Sequence, residues 1–335
     1  LILKPSSLGD VIQSIPVLRL LRRRFPHAHI AWWVDASLVE LLKGDPDLDE
    51  VIPFHRQALR RFEGVRTFVH SVLQMRRSRY DWVLDLQGLL RSGTVGWVAN
   101  GGLTIGVDDP REGAAAFYDL AVLRPAPTAH AVDWYLSVLR RLKVPVDVPF
   151  EWLPRRPEVA ARVQERWQPG DRPWICLQPG ARWWNKRWPV EHYEQVIQGL
   201  GARHLHLGFA VLGGRGDEEL GRRMAGALPG RTLDLTGRLS LLEMIEWLRL
   251  SSVMVTNDTG PMHAAAALGI PVVGLFGPTD PRRTGPYGQL ASSLRLGLPC
   301  SPCLKQRCSH ARPLECLQAI PPSGVIDAVE RHLKA

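Results

Sequence analysis

The sequence predicts an α/β chain made of two doubly wound domains. Three observations carry that expectation: short apolar runs alternate with segments of helical periodicity, the chain is 335 residues long, and four prolines crowd into residues 144–157. Strands alternating with helices usually form parallel sheets wound by right-handed crossovers. The length suits two cores, since a domain takes roughly 150 residues. Pro145, Pro149, Pro154 and Pro157 mark the linker, because proline resists both helix and central strand. The expected division is 1–150 and 151–335.

Taken in order, residues 1–4 (Leu1-Ile2-Leu3-Lys4) read as a strand already under way, 11–25 as an amphipathic helix and 29–34 as the next strand. Further buried strands are expected at 82–86, 174–177, 210–213, 253–256 and 271–276, with helices between them. Residues 323–335 offer Ser323 as an N-cap and apolar Val325, Ile326, Val329 and Leu333 at helical spacing, which predicts a terminal helix. The opening residues do not read as a charged-then-apolar secretory signal, and they leave room for residues upstream of Leu1. The longest apolar candidate for a membrane span, 264–277, is broken by Gly269, Pro271 and Gly274 and falls short of the ~18 residues required.

Lys and Arg outnumber Asp and Glu by 42 to 33, a net charge of +9 that favours anionic partners without identifying one. Nucleic acid is not expected, because no recognition helix, finger or aromatic-plus-basic RNA motif accompanies the charge. Four of the five cysteines, Cys300, Cys303, Cys308 and Cys316, cluster locally instead of forming a chain-wide disulfide framework. That usage suits a cytoplasmic location. Four thiolates suffice for a tetrahedral zinc site, but this spacing lacks the paired C-x2-C arms of common zinc ribbons, and free thiols or an incidental disulfide stand beside that reading. Cys176, within a strand, reads as core packing.

Four loops carry candidate chemistry. Ser6, Ser7, Gly9 and Asp10 follow the first strand and open a helix, so Asp10 or Ser7 serves either as a helix cap or as a polar group presented above the sheet. One glycine there is too few for a nicotinamide fingerprint. Gln178 to Pro189 is dense in cations and indoles. Lys186 can neutralise a departing diphosphate, while Trp183, Trp184 and Trp188 read equally as an apolar cluster with Arg187 stacked on one ring. In Gly213 to Glu219, Glu218 suits either a sugar hydroxyl or an ordinary first helical turn. Asn257-Asp258-Thr259-Gly260-Pro261-Met262-His263 follows a strand. Pro261 suits the first turn, so the amides of Thr259 and Gly260 can face an anion, whereas Asp258 as a cap and His263 as a packed residue are the plainer readings.

Together the runs 6–12, 85–92, 179–189 and 257–263 resemble the ADP-heptose:lipopolysaccharide heptosyltransferases, glycosyltransferase family 9. Weaker matches at Arg111-Glu112-Gly113, Phe117-Tyr118 and 130–133 fall in the same order. The resemblance implies a GT-B architecture, two Rossmann-like domains facing across a cleft, with acceptor mainly on the first and nucleotide-sugar on the second. It implies inverting, metal-independent transfer of a heptose or related sugar from an ADP-sugar to a lipopolysaccharide core or similar glycolipid, with no cofactor. By that match Asp10 is the general base and Lys186 stabilises the diphosphate. Glu218, Asp258, Thr259, Gly260, Pro261 and His263 bind donor; Ser7, Gly9 and Gln87 bind acceptor, and Arg56, Arg60 and Arg61 lie where the family can place acceptor-phosphate contacts, although a cationic helix face is usually just solvated. Ala181 and Arg182 replace a hydroxyl-bearing pair found in some relatives, so phosphate contacts there do not carry over. A monomer is expected, in the cytoplasm and in peripheral contact with the cytoplasmic face of the inner membrane. The rival reading is a non-catalytic nucleotide-sugar or glycan-binding protein of the same fold.

Overall fold

In the computed structural model, which describes residues 1–56, 62–109 and 112–334, the chain divides into two compact units, Leu1–Pro154 and Arg155–Ala335. Among the described residues the first unit holds strands β1 (Ile2–Leu3), β2 (Ala31–Asp35), β3 (Glu50–Phe54), β4 (Trp82–Asp85), β5 (Leu103–Asp108) and β6 (Leu120–Leu123). The second holds β7 (Trp174–Gln178), β8 (Gly208–Val211), β9 (Thr232–Asp234), β10 (Ser251–Asn257), β11 (Val272–Phe276) and β12 (Ser293–Arg295). Both sheets are parallel throughout, ordered β3-β2-β1-β4-β5-β6 and β12-β11-β10-β7-β8-β9. Counted from the first strand of each unit, the two orders are the same Rossmann winding. The chain reverses direction across the sheet between β1 and β4, and again between β7 and β10. Ligands of such sheets bind outside the strand carboxyl ends at those reversals.

The central strands are apolar runs because both faces of the sheet are covered. In the first unit Leu3, Trp33, Phe54, Val72 and Val83 pack together; in the second, Ile175, Leu177, Phe209, Val255 and Val273 do so with Val196, Ile197 and Val329 from flanking helices. Trp33 stacks obliquely on Phe54 at 4.6 Å. Strands β3, β5, β6, β9 and β12 lie outside the runs read from sequence. Several are short, carry a proline such as Pro53, or are only half-buried, so neighbouring strands determine them more than their own composition does.

The first helix spans Leu8–Arg24, starting earlier than its apolar periodicity indicates, because Ser7 is its N-cap. The terminal helix spans Pro322–Leu333 with Pro321 as N-cap, so Ser323 is not the cap expected of it. Proline at the first helical position is pre-set for helical φ and lacks a donor the helix would leave unused. Pro157 likewise opens the helix Pro157–Trp167 instead of ending the linker.

Arg19 joins the first helix to the end of its unit. Its guanidinium meets Asp45 through two oxygens at 2.5 and 2.6 Å and donates to the carbonyls of Glu151 and Trp152. The side chains of Arg19 and Asp45 are only 7% and 1% exposed. Deleting one member strands a buried charge. Arg19→Ala is therefore expected to destabilise the first unit by about 3–5 kcal/mol, read as a lower urea midpoint. A change below about 1 kcal/mol would mark the pair as an ordinary surface bridge.

Candidate nucleotide-sugar site

Polar residues of each unit gather at the strand ends flanking its reversal point. In the first unit these are the loop after β1 and the loop after β4. Ser7 donates from both its amide and its hydroxyl to Asp10 Oδ2, at 3.0 and 2.6 Å. Asp10 is thus the third helical residue, reaching back to the cap. The half-buried carboxylate lies at a helix N-terminus, where backbone amides favour negative charge.

Beneath it, Lys4 is 2% exposed, with Nζ donating to Leu86 O and to the Tyr135 hydroxyl at 2.8 Å each. Burial pulls the Lys4 ammonium toward neutrality. The nearby Tyr135, Asp10 and Asp85 outweigh that pull, so its pKa rises. Burial raises the Tyr135 pKa as well. Asp85 ends β4, fully buried. It accepts from the amides of Gln87 and Gly88 and from the Tyr118 hydroxyl at 2.6 Å, while burial raises its pKa. These bonds shape the turn after β4. Gly88 adopts φ +70° there, and a Cβ would strike Val107 O at 2.8 Å. Gln87 Oε1 is buried with no hydrogen-bond partner among the described residues. Arg56 is exposed, and Arg60, Arg61 and Arg111 lie outside the described residues.

In the second unit, Lys186 Nζ lies 2.7 Å from Asp258 Oδ2 and 4.7 Å from the centre of the Trp183 ring. Asp258 also accepts from Thr279 Oγ1 at 2.7 Å. Thr259 is the N-cap of the helix Gly260–Ala267, so Asp258 does not cap it but stands before it with its carboxylate on Lys186. Asn257 locks the two loops together: its Oδ1 accepts from the Trp188 amide and its Nδ2 donates to Pro179 O at 2.7 Å. The indoles do not form one cluster. Trp188 is buried edge-on against Tyr193, Trp184 is exposed, and Lys186, not Arg187, is the cation over a ring; Arg187 Nε donates to Ala181 O. His263 is buried on the helix.

Beside this pair opens a cavity of about 280 Å3. One wall is apolar, from Leu239, Leu241 and Met244; the others come from Gly180, Arg182, Gly213, Gly214, Asp217, Thr259 and Pro261. Asp217 is the carboxylate in the wall, accepting from the Gly214 amide at 3.1 Å with Arg187 at 3.7 Å. Glu218 is exposed, its pKa lowered by hydrogen bonds from its own amide and that of Gly216. Sequence reasoning passed over Asp217 and the apolar wall. The available signals were Gly180 and Gly213, which leave Asp217 room: a Cβ on either would come within 2.3 or 2.9 Å of the Asp217 side chain.

Among the described residues no group of three or more His, Cys, Asp or Glu is arranged to hold a metal ion. Cys300, Cys303 and Cys308 are free thiols in the loop beyond β12, and Cys316 is a free thiol in the short helix Glu315–Gln318. Amides of Leu314 and His310 lower the Cys308 pKa, and burial raises that of Cys316. Cys176 is core packing, its thiol pushed up to about 12 by burial.

Residues 70–312 match the family model described as glycosyltransferase family 9 (heptosyltransferase). The chain is 30% identical over 323 residues to lipopolysaccharide heptosyltransferase 1 of Pseudomonas aeruginosa, covering 92% of this chain and 87% of that protein. The crystal structure of a glycosyl transferase family 9 protein from Veillonella parvula superposes with a TM-score of 0.81 at 25% identity, over 100% of this chain and 97% of that one. The E. coli heptosyltransferase WaaC, solved with ADP-2-deoxy-2-fluoro heptose, has the same fold at a TM-score of 0.72 and 23% identity, over 99% and 98% of the two chains. Two Rossmann-wound units in one chain constitute the GT-B class, and the family match spans the latter half of one and most of the other. The chain belongs to glycosyltransferase family 9, the heptosyltransferases.

Proposed function

We propose that this enzyme transfers a heptose from an ADP-heptose donor to a lipopolysaccharide-core acceptor with inversion at the anomeric carbon. The observation that carries the reading is the cavity of the second unit, where an apolar wall meets a helix N-terminus, with Lys186 paired to Asp258, the residue just before that helix's N-cap. Leu239, Leu241 and Met244 suit the flat face of a base, and Asp217 or Glu218 suits ribose hydroxyls. Thr259, Gly260 and Pro261 put amides and a helix dipole toward phosphate, and Asp258 and His263 complete the donor set. Lys186 then meets the charge that grows on the diphosphate as the glycosidic bond breaks. Asp10 takes the acceptor proton while that oxygen attacks. Ser7, Gly9, Gln87 and Arg56 serve the acceptor, with Arg60 and Arg61 assigned by position in sequence. Neither a metal nor a cofactor has a step in this reaction. The location that fits is the cytoplasmic face of the inner membrane, where the protein acts as a peripheral monomer.

The test is a transfer assay with ADP-heptose and a lipopolysaccharide-core acceptor, read by mass spectrometry and by ADP release. One heptose gained per ADP released, with the new linkage of opposite anomeric configuration, is the expected result. Donor binding without ADP release for any acceptor would instead favour a glycan-binding protein that lacks turnover.

The nucleotide part is testable alone. Gly180→Ala is expected to weaken ADP binding about five- to tenfold by calorimetry, since a Cβ there displaces Asp217 and forfeits roughly one hydrogen bond. Unchanged affinity would remove Asp217 and its wall from the nucleotide site.

A further inference from the structure

One surface of the first unit takes no part in the site described above. The helices Phe62–Arg77 and Leu90–Ala99 pack side by side, tied where Arg76 donates to Val98 O, and between them lies a groove of about 550 Å3. Val65, Val69 and Leu73 stand at i, i+4 and i+8 along the first helix, 43%, 48% and 45% exposed. Leu90 and Trp97 of the second helix are 48% and 62% exposed. A helix stripe at that spacing is normally buried. An apolar patch of this kind left in water marks an interaction surface.

Charge selects the partner. Arg66, Arg76, Arg77 and Arg91 are exposed on the same two helices. The acid lining the groove, Glu112, is engaged by the Leu90 amide at 3.1 Å. Aliphatic side chains and an indole, flanked by arginines and lying along helix axes, suit the boundary between headgroups and acyl chains of an anionic bilayer. The aliphatic stripe and indole enter the acyl region while the guanidiniums take lipid phosphates.

We propose that this two-helix face docks the protein on an anionic membrane surface. The proposal extends the glycolipid-acceptor reading by naming the side of the molecule that meets the lipid. Its test does not depend on turnover. Full-length protein is co-sedimented with phosphatidylcholine vesicles, with and without phosphatidylglycerol. Binding is expected to the anionic vesicles, to weaken as salt rises, and to be slight on neutral ones. Val69→Glu combined with Leu73→Glu should lower partitioning about tenfold or more. Arg66→Gln and Arg77→Gln should each lower it about fivefold. Leu205→Glu, at a position 80% exposed in the other unit, should leave it unchanged. Circular dichroism checks that each variant is folded, and turnover on an acyl-free acceptor should match wild type in all of them. Loss of turnover in the wild type would count against the transferase reading and leave the docking result standing. The proposal is overturned if the wild type ignores anionic vesicles or if both the aliphatic and the arginine variants bind as it does. It is overturned equally if sedimentation shows that the aliphatic variant breaks a dimer, or if the face captures an acidic protein but no vesicle.

Discussion

Lys186→Ala is expected to lower kcat about 10²–10³-fold, the effect of removing one preorganised donor from a developing negative charge. The ammonium is in place before any substrate arrives, held at 2.7 Å by Asp258 and laid over the Trp183 ring. No reorganisation is then needed as the diphosphate leaves. The loss should therefore fall on kcat and on kcat/KM alike, because the interaction strengthens only in the transition state. The substitution also carries a stability cost of about 1–3 kcal/mol, since Asp258, 6% exposed, loses the ammonium and keeps the Thr279 hydroxyl. Thr279→Val separates the two effects, stripping a hydrogen bond from Asp258 while leaving the cation. It should cost stability without the fall in kcat. If Lys186→Ala raised only the KM for acceptor, the diphosphate role would be wrong.

Asp10→Asn is expected to lower kcat about 10²–10⁴-fold, the usual contribution of a positioned general base. Its structural consequence should be small. Asparagine Oδ1 can still accept from the Ser7 amide and hydroxyl, so the helix start survives and only the charge–dipole term of about 0.3–1 kcal/mol is lost. Asp10→Ala adds the loss of those bonds, about 1 kcal/mol more. The pair of variants distinguishes base from cap. As a base, both are inactive while differing in stability; as a cap alone, the asparagine variant keeps its turnover. Full activity in either would remove the carboxylate from the chemistry.

Much of the fold was legible because buried parallel strands are written in unbroken apolar residues. Strands such as β7, β10 and β11 need no tertiary context to be recognised, since both sheet faces are covered. The edges were not legible. Thr232–Asp234 and Ser293–Arg295 are three residues each, and they become strands because a neighbour offers a ladder. The motifs around Asp10, Lys186 and Asp258 were visible for a related reason. Residues that end a strand and open a helix carry local signals of glycine, proline and capping side chains, and doubly wound sheets place such turns at the ligand.

Identity of the loops, the alternation of elements and the family were determined by the sequence alone, since each is a property of consecutive residues. Which polar residue does what within a loop was decided only by tertiary structure. Asp258 turns to Lys186 while Thr259 caps the helix, Asp217 rather than Glu218 stands in the cavity wall, and Lys186 rather than Arg187 lies over an indole. Each choice depends on partners far away in the chain: Thr279 for Asp258, Gly180 for Asp217, and Asn257 holding the Lys186 loop in place. A carboxylate's role follows from the donors and the space around it, and those are supplied by contacts that residue order does not record.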